Sequence, residues 1–345
     1  MNILVIKQTS LGDVLHSTGH IRAIKQRFPE SQLTLLTATT SYEIIRHNPY
    51  IDHVILFDRY AIKRQWWKQP LWALRHIASV LKSVRKQRFD IAIDLQGRLK
   101  SMLFLYTARA KRKFAKGRWL LVDHFSKREI HAIEEMNGVL QLAGVDAGDT
   151  SMEIHISEVE RLKIEKILTE INPENRRIVV VSPFTRWDTK NWGIDHFVEL
   201  CNRIPDEVMI AFTGSAERRA QIDWLIQDLG DRRAVNLAGR VTLLEFAELI
   251  RRSSLVITGD SFPMHLASAL RRPLIALFGP TDEKRVGPVT PDAIVLRADH
   301  GCRRCYRRHR CSRNCIRDIA PATVLREALR FLDINRASCP LSGVR

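Results

Sequence analysis

The chain has 345 residues, and its 55 Lys and Arg outnumber its 38 Asp and Glu by seventeen. A hydrophobic share of 45% argues against a disordered chain, and the length suits about two domains of about 150 residues. No run of about 18 apolar residues is present to cross a bilayer as a helix, so the charge points outward to an anion: nucleic acid, an acidic membrane face or a phosphorylated substrate.

Asn2-Ile3-Leu4-Val5-Ile6 is apolar without alternation, which predicts a strand buried on both faces of a parallel sheet. These first residues show no basic stretch followed by a long apolar core, so no secretory signal is read and a cytoplasmic location is expected. A short loop over 7–12 leads into an amphipathic stretch over 13–28, closed by Pro29. Strands are predicted over 33–37, 53–57 and 90–94, and helices over 42–47 and 71–87. This alternation implies βαβ units.

A polar, Pro-containing break at 172–177 separates the halves, predicting domains over 1–171 and 172–345. Strands then follow over 178–181, 208–212, 234–237, 255–258 and 274–278, with helices over 196–203 and 243–252 among them. The expected architecture is α/β: two Rossmann-like domains whose parallel sheets face a central cleft. Ligands in such folds bind at the carboxyl ends of the strands.

Residues able to do chemistry fall at those ends. Gly12 lets the chain approach a ligand closely, and Asp13 is either an ordinary carboxylate at a helix start or a base able to take a proton from a hydroxyl. The loop Ser182-Pro183-Phe184-Thr185-Arg186-Trp187-Asp188-Thr189-Lys190 follows the first strand of the second half. It reads as a diphosphate cradle or as an exposed polar loop. In Gly214-Ser215-Ala216-Glu217, Glu217 is a ribose acceptor or a first-turn carboxylate. Gly259-Asp260-Ser261 turns a strand into a helix whose first N–H groups suit an anion, and His265 lies one turn further on. Asp94-Leu95-Gln96-Gly97-Arg98-Leu99-Lys100-Ser101 ends another strand. Around it gather Arg59, Lys63, Arg64, Trp66 and Trp67, and then six cations over 109–118. Basic groups among aromatics suit a phosphorylated, partly lipidic acceptor at a membrane, or RNA; a tryptophan pair capping a core is the plainer reading.

Taken together, these segments resemble glycosyltransferase family 9, the lipopolysaccharide heptosyltransferases. The matching pieces run in family order over 1–290: I-L-V-I-K-Q-T-S-L-G-D-V-L, D-L-Q-G-R-L-K-S, the loop ending in Lys190, G-S-A-E, and G-D-S-F-P-M-H-L-A-S-A-L with L-F-G-P-T after it. The resemblance implies a GT-B fold and an inverting transfer of heptose from ADP-L-glycero-β-D-manno-heptose. The acceptor would be lipid A–Kdo or an inner-core heptose, reached by a cytoplasmic protein held peripherally at the inner membrane. A related family member using another nucleotide sugar, and a basic nucleic-acid-binding protein, are the alternatives; nucleic acid is not the expected partner.

By the same resemblance Asp13 is the catalytic base, and Lys190 offsets charge on the leaving nucleotide. Thr185, Glu217, Asp260, Ser261 and His265 contact the donor, and Lys100 the anionic acceptor. Arg59, from the cluster of basic and aromatic residues, is read as a second acceptor contact. The chain has no Asp-x-Asp dyad, so no divalent metal is expected at the donor phosphates, and no cofactor is expected. Phe262 stands where the family turn usually has Gly. This predicts a remodelled turn and an altered sugar preference, because a bulky residue avoids positive φ.

Cys302, Cys305, Cys311 and Cys315 lie close in sequence, among the arginines 303, 304, 307, 308, 310, 313 and 317, while Cys201 and Cys339 stand apart. The four thiols read as a zinc site or as a reduced Cys-rich loop. The arginines could dock on lipid headgroups or on nucleic acid phosphates. A final amphipathic helix over 322–332 is expected to cross back to the first domain.

Overall fold

The structure, a computed structural model, describes residues 1–127, 129–229, 233–298, 302, 304–309 and 311–333. Arg303, Arg310 and Cys339 lie outside the described residues. The chain divides into two units, Met1–His155 and Ile156–Arg345.

In the first unit the strands are β1 (Asn2–Ile6), β2 (Gln32–Ala38), β3 (His53–Phe57), β4 (Arg88–Asp94), β5 (Arg109–Lys116) and β6 (Asp123–Phe125). They form one parallel sheet in the order β3-β2-β1-β4-β5-β6. Its helices are α1 (Leu11–His16), α2 (Thr18–Arg27), α3 (Tyr42–Ile45), α4 (Arg59–Gln65), α5 (Pro70–Lys86), α6 (Leu99–Thr107) and α7 (Ala132–Leu142). The single amphipathic stretch read over 13–28 is two helices, because Ser17 closes α1 and starts α2 with its hydroxyl bonded back to Val14 O.

The second unit repeats the plan. Its helices are α8 (Glu158–Ile171), α9 (Ile194–Asn202), α10 (Arg219–Leu229), α11 (Leu243–Arg252), α12 (Phe262–Ala269), α13 (Glu283–Val286) and α14 (Pro321–Phe331). Its strands are β7 (Arg177–Ser182), β8 (Val208–Phe212), β9 (Ala234–Asn236), β10 (Leu255–Gly259), β11 (Leu274–Phe278) and β12 (Ala293–Arg297). The order is β12-β11-β10-β7-β8-β9, again parallel throughout. Numbered within each unit, both sheets read 3-2-1-4-5-6, the doubly wound order.

Central strands are buried on both faces, as their unbroken apolar runs require: Ile3 to Ile6, Val179 to Val181 and Leu255 to Ile257 are all inaccessible. The core of the second unit gathers Val179, Phe197, Phe212, Ile257 and Leu277 with Trp192, whose indole N–H donates to Ile319 O.

Two boundaries differ from the sequence reading. The break falls at His155 and Ile156, not at 171, because α8 packs on α11 of the second unit. Lys163 pairs there with Glu245 at 3.1 Å and Arg252 with Glu165 at 3.5 Å. Helix α14, expected to cross back, buries Val324, Leu325 and Ala328 in the core of its own unit beside α9.

Candidate functional site

In a doubly wound sheet the loops after the first and fourth strands leave in opposite directions and open a crevice at the carboxyl edge. In the first unit these are the loops after β1 and β4. Gln96, after β4, accepts from the N–H groups of Gln8 and Thr9 at 3.1 and 3.0 Å and so joins the two loops. Gly97 makes this possible: its φ is +64°, and a Cβ there would lie 2.5 Å from Lys116 O. Asp13, partly exposed in the first turn of α1, accepts from Ser10 N at 2.6 Å and Ser10 Oγ at 2.9 Å. Arg59 reaches the same loop, donating to Thr9 Oγ1 at 2.8 Å. Lys100 is exposed in the first turn of α6.

Beneath this loop lies a buried charge group that sequence reasoning did not single out. Lys7 is 2% exposed and donates to Leu95 O at 3.0 Å. Burial brings its ammonium down to about 8, with the Asp13 carboxylate the main opposing influence. Asp94, inaccessible at the end of β4, accepts from Ser101 Oγ at 2.6 Å and Gln96 N at 2.7 Å. Burial pushes it up to about 6 in spite of those donors. Lys116 and Glu135 add an ion pair at 3.1 Å. The available signal was Lys7 itself, a cation directly after a strand with no exposed face.

In the second unit the loops at the switch point follow β7 and β10. Lys190 Nζ lies 2.5 Å from Asp260 Oδ2, with both side chains nearly inaccessible at 12% and 6%. Thr281 Oγ1, after β11, donates to the same carboxylate oxygen at 2.6 Å. Thr185 holds the loop in shape: its N–H donates to Asn191 Oδ1 at 2.8 Å and its hydroxyl to Trp187 O at 3.0 Å. Gly259 is needed for this approach, because a Cβ would sit 2.9 Å from Lys190 O. Ser261 caps α12 and bonds Thr258 Oγ1 at 3.2 Å, and His265 is buried one turn on. Thr185, Lys190, Asp260 and Ser261 therefore converge. Glu217 stands apart after β8, exposed, with the Ser215 hydroxyl holding its carboxyl below the usual range.

The turn at Phe262 is not remodelled by a strained backbone. Phe262 is the first residue of α12, where helical φ is expected of any residue, and it is absent from the positive-φ positions.

The Arg/Cys segment lies over the same edge. Thr189 Oγ1 donates to Arg307 O at 2.5 Å, Tyr306 N to Pro280 O at 2.9 Å, and His309 meets Asp188 at 2.8 Å. Arg308 stacks on the Trp187 indole at 4.9 Å, and Lys190 Nζ sits 4.2 Å from the same ring, so two cations share one indole. Arg304 is held by Glu283 and Asp282, and Arg317 by Asp195. Cys302, Cys305, Cys311 and Cys315 are free thiols. Among the described residues no three His, Cys, Asp or Glu side chains are grouped to hold a metal ion.

Two parallel sheets of this order are the GT-B fold shared with the heptosyltransferase structures to which the chain is similar. The chain belongs to glycosyltransferase family 9 (heptosyltransferase), whose model matches residues 77–316. It is 24% identical over 301 residues to the lipopolysaccharide core heptosyltransferase OpsX of Haemophilus influenzae, covering 83% of this chain and 81% of that one. Its fold is similar to that of the family 9 glycosyl transferase from Veillonella parvula (TM-score 0.80, 20% identity, 97% and 98% of the two chains). It is also similar to the E. coli heptosyltransferase WaaC solved with ADP (TM-score 0.75, 21% identity, 96% and 100%).

Proposed function

We propose that the protein moves a heptose from ADP-heptose onto the lipopolysaccharide inner core, lipid A–Kdo or a core heptose, by a metal-independent inverting displacement. Asp13 takes the proton of the acceptor hydroxyl as its oxygen bonds to the anomeric carbon. The bond from that carbon to the phosphate oxygen breaks, and ADP departs with its charge met by Lys190 and Arg308. Asp260, Ser261, Thr185 and His265 line the donor subsite, and Glu217 holds the ribose. Arg59 and Lys100 receive the anionic acceptor. The reaction takes place at the cytoplasmic face of the inner membrane, with the protein held there peripherally.

The observation that carries this reading is positional. Asp13, in the helix turn that follows the β1 loop, and the Lys190–Asp260 pair after β7 and β10 both lie at switch points. One displacement needs one base and a neutralised leaving group, and these are the groups present. Against a nucleic-acid reading, Arg304 and Arg317 are engaged by carboxylates of their own unit.

The test is titration with ADP, UDP, GDP and CDP without added metal, followed by transfer of heptose to lipid A–Kdo. Preferential ADP binding and transfer are expected. Preference for another nucleotide moves the reading to a different sugar, and binding of none overturns it.

A further inference from the structure

Residues 59–122 hold 17 Lys and Arg but only two carboxylates, Asp90 and Asp94. This one stretch therefore accounts for +15 of the net +17 of the chain. It also carries the strongest exposure of large apolar side chains: Trp67 is 89% exposed, Leu71 69% and Leu121 95%, with Trp66, Trp72 and Leu74 also exposed. The tryptophan pair thus does not cap a core.

These side chains share one region. Helix α5 buries only Ala73, Val80 and Val84, packs on α4 and α6, and sets Leu71, Trp72, Leu74 and Arg75 outward. A depression at the α5–α6 seam is lined by Arg85, Leu103 and Tyr106. Tyr106 donates to Leu120 O at 2.7 Å, tying the 117–122 loop to the end of α6. Trp119 and Val122 of that loop pack on the same core as α5 and α6.

We propose that the face built by α4, α5, α6 and the 117–122 loop docks on a bilayer surface rich in anionic lipid. The inference rests on the membrane-side part of the proposed function and names the surface that performs it. Indoles settle at the headgroup level, leucines enter the acyl boundary, and Lys and Arg meet anionic headgroups. No acidic residue interrupts 59–89, so nothing there repels such a surface. The leucines decide between lipid and RNA: bases stack on aromatic rings, but exposed Leu71, Leu74, Leu120 and Leu121 offer them no platform.

The test is flotation of the full chain with vesicles of phosphatidylcholine alone and with about 30% phosphatidylglycerol added, at about physiological salt. The protein is expected to float with the anionic vesicles only. The double variant Trp67→Ala/Leu71→Ala and the charge variant Lys63→Glu/Arg64→Glu should each lower partitioning roughly tenfold or more. Their melting temperature and ADP titration should match the parent. All four side chains are exposed, so both variants should fold. A parent that stays unbound, or variants that float like it, overturn the proposal. Single-stranded RNA that binds the parent and loses affinity in the Trp67→Ala/Leu71→Ala variant assigns the face to nucleic acid instead. The ADP titration of the same preparations separates failure of this surface from failure of the transferase reading.

Discussion

Lys190 and Asp260 come from loops 70 positions apart and meet at 2.5 Å, with Thr281 donating to the same carboxylate oxygen. In the proposed donor subsite, Asp260 is the counter-ion that a diphosphate would displace or share. Lys190→Ala should weaken ADP binding by about 1.5–3 kcal/mol, the range for a hydrogen bond to a charged group. Isothermal titration without metal measures it, and an affinity within a few-fold of the parent removes Lys190 from the donor subsite.

Asp13 has one observed duty and one proposed duty. Its Oδ2 accepts from Ser10 N and Oγ, which fixes the start of α1, and the same carboxylate is the proposed base. Asn retains an accepting oxygen but cannot take a proton at neutral pH. Asp13→Asn should therefore keep the melting temperature and ADP affinity while turnover falls by roughly 10²- to 10⁴-fold, the usual range for loss of a general base. Near-parental turnover would assign Asp13 to helix capping alone.

Switch-point residues were legible in the sequence because the chain alternates apolar runs with short loops, and each quoted motif closes such a run. Strand β5 was not legible. Arg109-Ala110-Lys111-Arg112-Lys113-Phe114-Ala115-Lys116 reads as a basic patch, yet it pairs along β4 because Phe114 and Ala115 supply the buried end while Arg109, Lys111 and Arg112 reach solvent. Residues 158–171, which form α8, fall in the first half of the sequence reading because the Pro173 break follows them. The partner of α8, α11, lies some 80 residues on, a distance no local pattern encodes. The contact of Arg308 with Trp187 is equally non-local, so the Arg/Cys segment read as a free basic loop.

Asp94 makes stability depend on pH in an unusual direction. Its folded value, about 6, lies above the ordinary 3.8, because burial penalises the carboxylate. Its favourable contribution is therefore full below about 3.8 and is lost as pH rises through about 6. Asn at this position can keep the bonds to Gln96 N and Ser101 Oγ without the charge. The stability of Asp94→Asn minus that of the parent should rise by up to about 3 kcal/mol between about pH 4 and 7. Denaturant melts at both pH values test this, and a difference that falls or stays flat contradicts the burial argument.

Arg308 and Arg304 belong to one segment but differ in what holds them. Arg304 is clamped by Glu283 and Asp282, whereas among the described residues no carboxylate pairs with Arg308, which rests on the Trp187 ring beside Lys190. Two cations share one indole and Asp260 answers only Lys190, so in the proposed donor subsite Arg308 is the charge that meets the diphosphate. Arg308→Gln should lower ADP affinity by about 1–2 kcal/mol and flatten its salt dependence, as loss of a charge-assisted contact requires. Arg304→Gln should instead leave ADP affinity unchanged and cost stability through the two carboxylates it abandons. Because Trp187 is the shared ring, ADP should also change its fluorescence in the parent, and less so in Arg308→Gln. Equal effects of the two substitutions on ADP binding would mean that the segment acts only through its overall charge.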